Sequence, residues 1–186
     1  LARSHLFRKP LAAIILAISS PSHSSSDRLV RNAGYRLDVI EHNGPATVRL
    51  ANSTTLQLRV RPGTDRDKRE EILHRWYRQR LREQIPPLIA KWEPKIGVEV
   101  ADWGIKKMKT RWGTCTVEAR RIWLNLELAK KPASCLEYIL VHEMVHLLER
   151  HHNERFRALM DSFLPNWPLH RDELNRAPLA HEEWVY

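Results

Sequence analysis

The run Val141-His142-Glu143-Met144-Val145-His146 constrains this chain more than any other segment. It reads H-E-x-x-H inside an apolar stretch. On an α-helix, residues four apart lie one turn apart on the same face. His142 and His146 can therefore turn both imidazoles toward one zinc ion. Glu143 stands one step round the helix, beside the metal and not on it. From there it can take a proton from a zinc-activated water.

The motif has this meaning only on a helix, and its surroundings predict one. Ser134-Cys135-Leu136-Glu137 has the S-x-x-E form of a capping box, and Pro132 suits a helix approach. Leu136, Ile139, Leu140 and Leu147 recur at helical spacing, and Val141, Val145 and Leu148 widen the apolar surface. The predicted helix covers residues 135–150 and is largely buried. Two histidines and a carboxylate buried there need partners, because unpaired buried polar groups cost several kcal/mol. A metal ion is one such partner. Hydrogen bonds within an ordinary core helix are the competing explanation.

A catalytic zinc usually takes three protein ligands and keeps one position open. His152 is the sixth residue after His146, and a turn through residues 149–151 would return it to the metal. Asn153 then reads as the N-cap of a further helix. Phe156, Leu159, Met160, Phe163 and Leu164 give that helix its apolar face, and Pro165 ends it. His151 competes with His152 as third ligand. His170 and the carboxylate of Glu149 are more distant candidates.

Further upstream, Lys109-Thr110-Arg111-Trp112-Gly113-Thr114-Cys115 is followed by Ile122-Trp123-Leu124-Asn125-Leu126. With the H-E-x-x-H helix, His152-Asn153 and Phe156, these segments resemble the YgjP-like metallopeptidase family, related in type to the SprT-like proteases. Thr114 stands where that family usually has Ser. The resemblance runs from about Gly34 to Asn175. It implies His142, His146 and His152 as metal ligands and Glu143 as catalytic base. It also implies that Arg111, Trp112, Gly113 and Asn125 belong to the active-site scaffold on the substrate-binding side. Taken on their own chemistry, Gly113 permits close backbone approach, and Arg111 can bind an oxyanion or a substrate carboxylate. Trp112 and Trp123 read as core packing. A peptide substrate could pair with a strand edge beside the metal.

The remaining segments predict an α+β, zincin-like domain with a mostly antiparallel sheet. Residues 35–42, 47–50 and 55–61 read as strands, with turns at Asn43-Gly44-Pro45 and Asn52-Ser53. Residues 65–84 read as a helix, and Leu88, Ile89 and Trp92 as a second, short one after Pro86-Pro87. Residues 98–107 and 108–116 return to strand. The expected organisation is one metallopeptidase domain over residues 27–180 and a tail over 181–186. Residues 1–26 are set apart as disordered or signal-like. There Arg3, Arg8 and Lys9 precede an apolar run over 11–18 and then a Ser-rich stretch, the outline of a secretory signal peptide; the alternative is a mis-set start or a truncated gene. That run is too short to span a bilayer. Cys115 and Cys135 form no C-x-x-C pattern, so reduced thiols in a cytoplasmic protein are the default expectation, with export as the alternative.

With 31 Lys and Arg against 22 Asp and Glu, the formal net charge is +9. The basic residues crowd residues 66–82 and 106–111. A basic field attracts nucleic acid or acidic partners. No helix-turn-helix, finger or RNP pattern accompanies it. Two functions from different classes follow. The first is a zinc-dependent peptidase acting on peptide or protein substrates. The second is a non-catalytic, zinc-stabilised module that binds nucleic acid. Glu143 separates them, because a structural zinc site has no use for a base beside an open position.

Overall fold

The computed structural model describes residues 36–52 and 54–176. The signal-like segment and the C-terminal tail lie outside them. The chain divides into two compact units between Leu73 and His74, and each is described by itself.

In the first unit, β1 (Arg36–Glu41), β2 (Thr47–Leu50) and β3 (Thr55–Val60) form a three-stranded sheet in the order β1-β3-β2. β1 runs parallel to β3 and β2 antiparallel to it. The central strand alternates cleanly. Leu56, Leu58 and Val60 are fully buried. Gln57 points to the other face, where its Oε1 accepts hydrogen bonds from Arg49 at 2.8 and 2.9 Å.

Helix α1 (Arg66–Ile96) crosses the division and runs unbroken through Pro86 and Pro87. This corrects the expectation of two helices. Each interior proline removes a backbone hydrogen bond and crowds the preceding turn, at about 3 kcal/mol or more. The apolar stripe explains why the helix continues. Tyr77, Leu81, Ile85, Ile89, Trp92 and Ile96 keep helical spacing across Pro86, Pro87 and the later Pro94 and are all buried. Fully burying one such side chain is worth roughly 1.5–3 kcal/mol, and three of the six follow the proline pair. Glu137 anchors this end of α1, accepting from Lys91 at 2.6 Å and Trp92 at 2.8 Å.

The second unit also holds β4 (Asp102–Lys106), β5 (Gly113–Thr116) and β6 (Arg121–Asn125), in the order β4-β6-β5. β4 pairs with β6 in parallel and β5 antiparallel. The fold is α+β, but both sheets are mixed and not mostly antiparallel. Parallel pairing joins segments far apart in the chain, where no hairpin turn announces it. A short 3-10 helix (Leu126–Lys130) follows β6. Next come α2 (Ala133–Val145), α3 (Glu154–Phe163) and α4 (Trp167–Asn175), the last not expected from the sequence. α2 packs against α3, α4, β5 and β6, and ten of its thirteen residues are buried. It is therefore a central core element carrying polar groups.

Two local expectations on α2 need correction. Ser134 makes no capping box, because the helix begins two residues earlier than expected, at Ala133, with Pro132 at the N-cap and no side-chain cap. The helix also ends at Val145, short of residue 150. Leu147 N–H turns back to Met144 O and Leu148 N–H to Val145 O, a tightening that closes a helix end. Among the described residues no helix is long and apolar enough to cross a membrane.

Candidate metal centre

The centre is built from the end of α2, the turn after it and the start of α3. His142 lies in the last turn of α2, and His146 is its C-cap. The ring of His146 bends back on the turn, where Nδ1 lies 3.1 Å from Glu149 O. With Nδ1 donating to that carbonyl, Nε2 is left with its lone pair. The carboxylate of Glu149 faces elsewhere, accepting from His151 N–H at 3.1 Å. Asn153 caps α3, its Oδ1 accepting from Phe156 N–H at 3.0 Å. That cap fixes the residue immediately before it, His152.

The three Nε2 atoms converge. His142 Nε2 lies 3.2 Å from His146 Nε2 and 3.0 Å from His152 Nε2. Among the described residues His142, His146 and His152 form the group whose ligand atoms could hold a metal ion, all within 4.8 Å of one another. Neither His151, which is exposed, nor His170 belongs to it.

Electrostatics keeps the triad neutral. Burial pushes the His142 pKa well below the ordinary histidine range, helped by its two histidine neighbours. Burial lowers His146 against the opposing pull of its bond to Glu149. It brings His152 down to about 4, with smaller repulsions from His146 and His151. Neutral imidazoles are the form that binds a metal.

Glu143 is 5% exposed and points to β5. A Cβ built on Gly113 would stand 2.5 Å from Glu143 Oε1 and 2.9 Å from its Cδ. Gly113 thus leaves room for the carboxyl group. Burial raises the Glu143 pKa to about 8, and the Arg111 charge opposes that rise. Arg111 itself is exposed, on the loop before β5.

That loop corrects the expected strand over residues 108–116, of which only Gly113–Thr116 pairs. Asn125, fully buried, holds the rest. Its Nδ2 donates to Met108 O at 2.9 Å and Arg111 O at 2.7 Å. Its Oδ1 accepts from Met108 N–H at 3.3 Å and Glu127 N–H at 3.1 Å. Trp112 is 2% exposed and packs in the core.

Sequence reasoning missed one contributor. Phe156 reads as core on the apolar face of α3, yet its ring lies against all three histidines, at centroid separations of 4.8 to 4.9 Å. Its i, i+4 spacing from His152 is visible in the chain, but convergence on His142 and His146 is not.

A family model described as YgjP-like, metallopeptidase domain, matches residues 17–177. The chain belongs to this family. No curated protein matches it significantly.

Proposed function

We propose that this protein is a zinc-dependent peptidase in which His142, His146 and His152 hold the metal and Glu143 moves the proton. The observation that carries this reading is the convergence of the His142, His146 and His152 imidazole nitrogens, with the buried carboxyl group of Glu143 next to His142 on α2. The donor set fits zinc. Tetrahedral coordination at roughly 2.0–2.1 Å would set ligand nitrogens about 3.3 Å apart, near the 3.0 and 3.2 Å found here. Three nitrogen ligands leave a fourth position open, as catalytic sites do. When bound, zinc supplies Lewis acidity, polarising a carbonyl and lowering the pKa of water.

The chain's own residues do the rest. A Glu143 carboxylate oxygen accepts a proton from the attacking water. It delivers that proton to the amide nitrogen as the carbon–nitrogen bond breaks. β5 is an edge strand of its sheet, and Gly113 at its start touches Glu143. An extended peptide added to that edge would lie beside the proton carrier. Arg111 would bind an oxyanion or a substrate carboxylate. Trp112 and Asn125 act from the interior, by packing and by holding the loop that carries Arg111.

The test pairs metal analysis of purified protein with a broad peptide-cleavage assay. One zinc per chain and hydrolysis lost in Glu143→Gln are expected. Protein that binds no zinc would overturn the reading.

A further inference from the structure

The four rings of His142, His146, His152 and Phe156 form one cluster. The three histidine centroids lie 4.9, 4.9 and 4.7 Å apart. Phe156 stands 4.9, 4.8 and 4.8 Å from them. All six separations are nearly equal, so Phe156 sits over the middle of the histidine triangle and belongs to no one histidine. Rings this close are in van der Waals contact, within the range of aromatic pairs. Nothing the size of a water fits between Phe156 and any of them. Phe156 is 4% exposed, and its backbone N–H is bound by Asn153, the residue after His152. The ring therefore covers one side of the triangle of histidine rings.

An imidazole on two rotatable bonds can swing away from its partners unless something blocks it. Metal affinity depends on how much of that freedom is lost before binding. Hydrogen bonding restrains His146 through Glu149 O. A single apolar ring that touches all three histidines restrains the set together.

We propose that Phe156 is a positioning residue for the metal centre, a shared apolar floor that holds three ligand rings in their binding arrangement. The inference rests on the reading of His142, His146 and His152 as metal ligands. It predicts an effect on metal affinity beyond any effect on folding. Met160 supplies the comparison. It lies four residues on in the same helix and is fully buried.

Zinc affinity is measured by chelator competition for wild type, Phe156→Ala, Phe156→Leu and Met160→Ala. The visible spectrum of the cobalt(II)-substituted protein reports ligand geometry, and melting of the metal-free protein reports folding. Phe156→Ala should weaken zinc binding 10- to 100-fold, as loss of groups supporting metal ligands typically does. Its cobalt spectrum should also change. Phe156→Leu should fall between Phe156→Ala and wild type. Met160→Ala should lower the metal-free melting temperature yet leave zinc affinity within about twofold. Equal loss of affinity in Phe156→Ala and Met160→Ala would overturn the proposal, and so would unchanged affinity in Phe156→Ala. If Phe156→Ala does not fold, Phe156→Leu decides the same question. Wild type that binds no zinc would instead remove the metal centre, and this proposal with it.

Discussion

Gly113 and Glu143 share one space: the position a Cβ would take on Gly113 lies 2.5 Å from Glu143 Oε1, 2.8 Å from Cγ and 2.9 Å from Cδ. The backbone does not demand glycine there, since among the described residues the positive-φ glycines are Gly63 and Gly97. The constraint is steric. Gly113→Ala must displace either β5 or the carboxyl group. A misplacement of about 1 Å can cost on the order of 10²-fold in rate. Gly113→Ala should therefore lose about 10²-fold or more in kcat while binding zinc within a few-fold of wild type. Full activity in this variant would show that Glu143 needs no fixed position.

Glu143→Gln separates proton transfer from metal binding. Activity should fall by about 10²–10⁴-fold with zinc retained. A second consequence concerns the metal-free protein. The folded pKa of Glu143 is raised to about 8 from 4.5. Between those values the folded state binds more protons than the unfolded state, so stability falls as pH rises. The triad works in the opposite sense. Its lowered pKa values make stability fall as pH drops below about 6.5. Between pH 6.5 and about 7.5 the two contributions overlap, and the difference between wild type and Glu143→Gln isolates that of Glu143. Metal-free Glu143→Gln should there lose less stability than wild type as pH rises to 8. The full effect is bounded at roughly 3–5 kcal/mol by the size of the shift. Denaturant melts at pH 6.5 and 8 check this, and parallel pH slopes for the two proteins would contradict it.

Asn125 should prove a structural residue with a functional consequence. Its Ala variant leaves the N–H of Met108 and Glu127 and the carbonyls of Met108 and Arg111 without their side-chain partner. Stranding buried groups of this kind costs about 1–3 kcal/mol each when water cannot replace the partner. Equilibrium unfolding should show a loss of about 2–4 kcal/mol. Activity should fall further than zinc affinity, because the freed loop carries Arg111 and no histidine of the triad. A variant as stable and active as wild type would rule out this role.

What the sequence reveals depends on distance along the chain. The i, i+4 spacing of His142 and His146 is local, and so is the capping of α3 by Asn153. Both are legible without coordinates. The proline pair in α1 is also local, but there local preference misleads, because the apolar stripe beyond it outweighs the broken backbone bonds. The parallel pairings of β1 with β3 and β4 with β6 lie beyond local reading. So does the loop before β5, whose conformation is set by Asn125 from 14 and 17 residues away. Gly113 is recognisable as a place of close approach, but only the fold shows that Glu143 is what approaches. Phe156 is recognisable as apolar, but only the fold brings it against three histidines.

The third nitrogen of the triad gives the sharpest local test. His151 and His152 are adjacent, yet the structure treats them differently. His151 is exposed, and its backbone N–H is held by Glu149 Oε1. His152 is half-buried, with Nε2 3.0 Å from His142 Nε2. Burial brings the His152 pKa down to about 4, so it stays neutral and ready to bind a metal throughout the neutral range. His152→Ala should weaken zinc binding by at least about 100-fold, since a removed ligand leaves only two of the three nitrogens a catalytic site needs. His151→Ala should change affinity by less than about twofold, because an exposed neighbour acts only through screened electrostatics. Chelator competition at pH 7 measures both. Reversed results would mean that the turn after His146 is one residue shorter than drawn, with His151 facing the metal. Equal, small effects would mean that the site holds its ion through His142, His146 and a group outside this cluster.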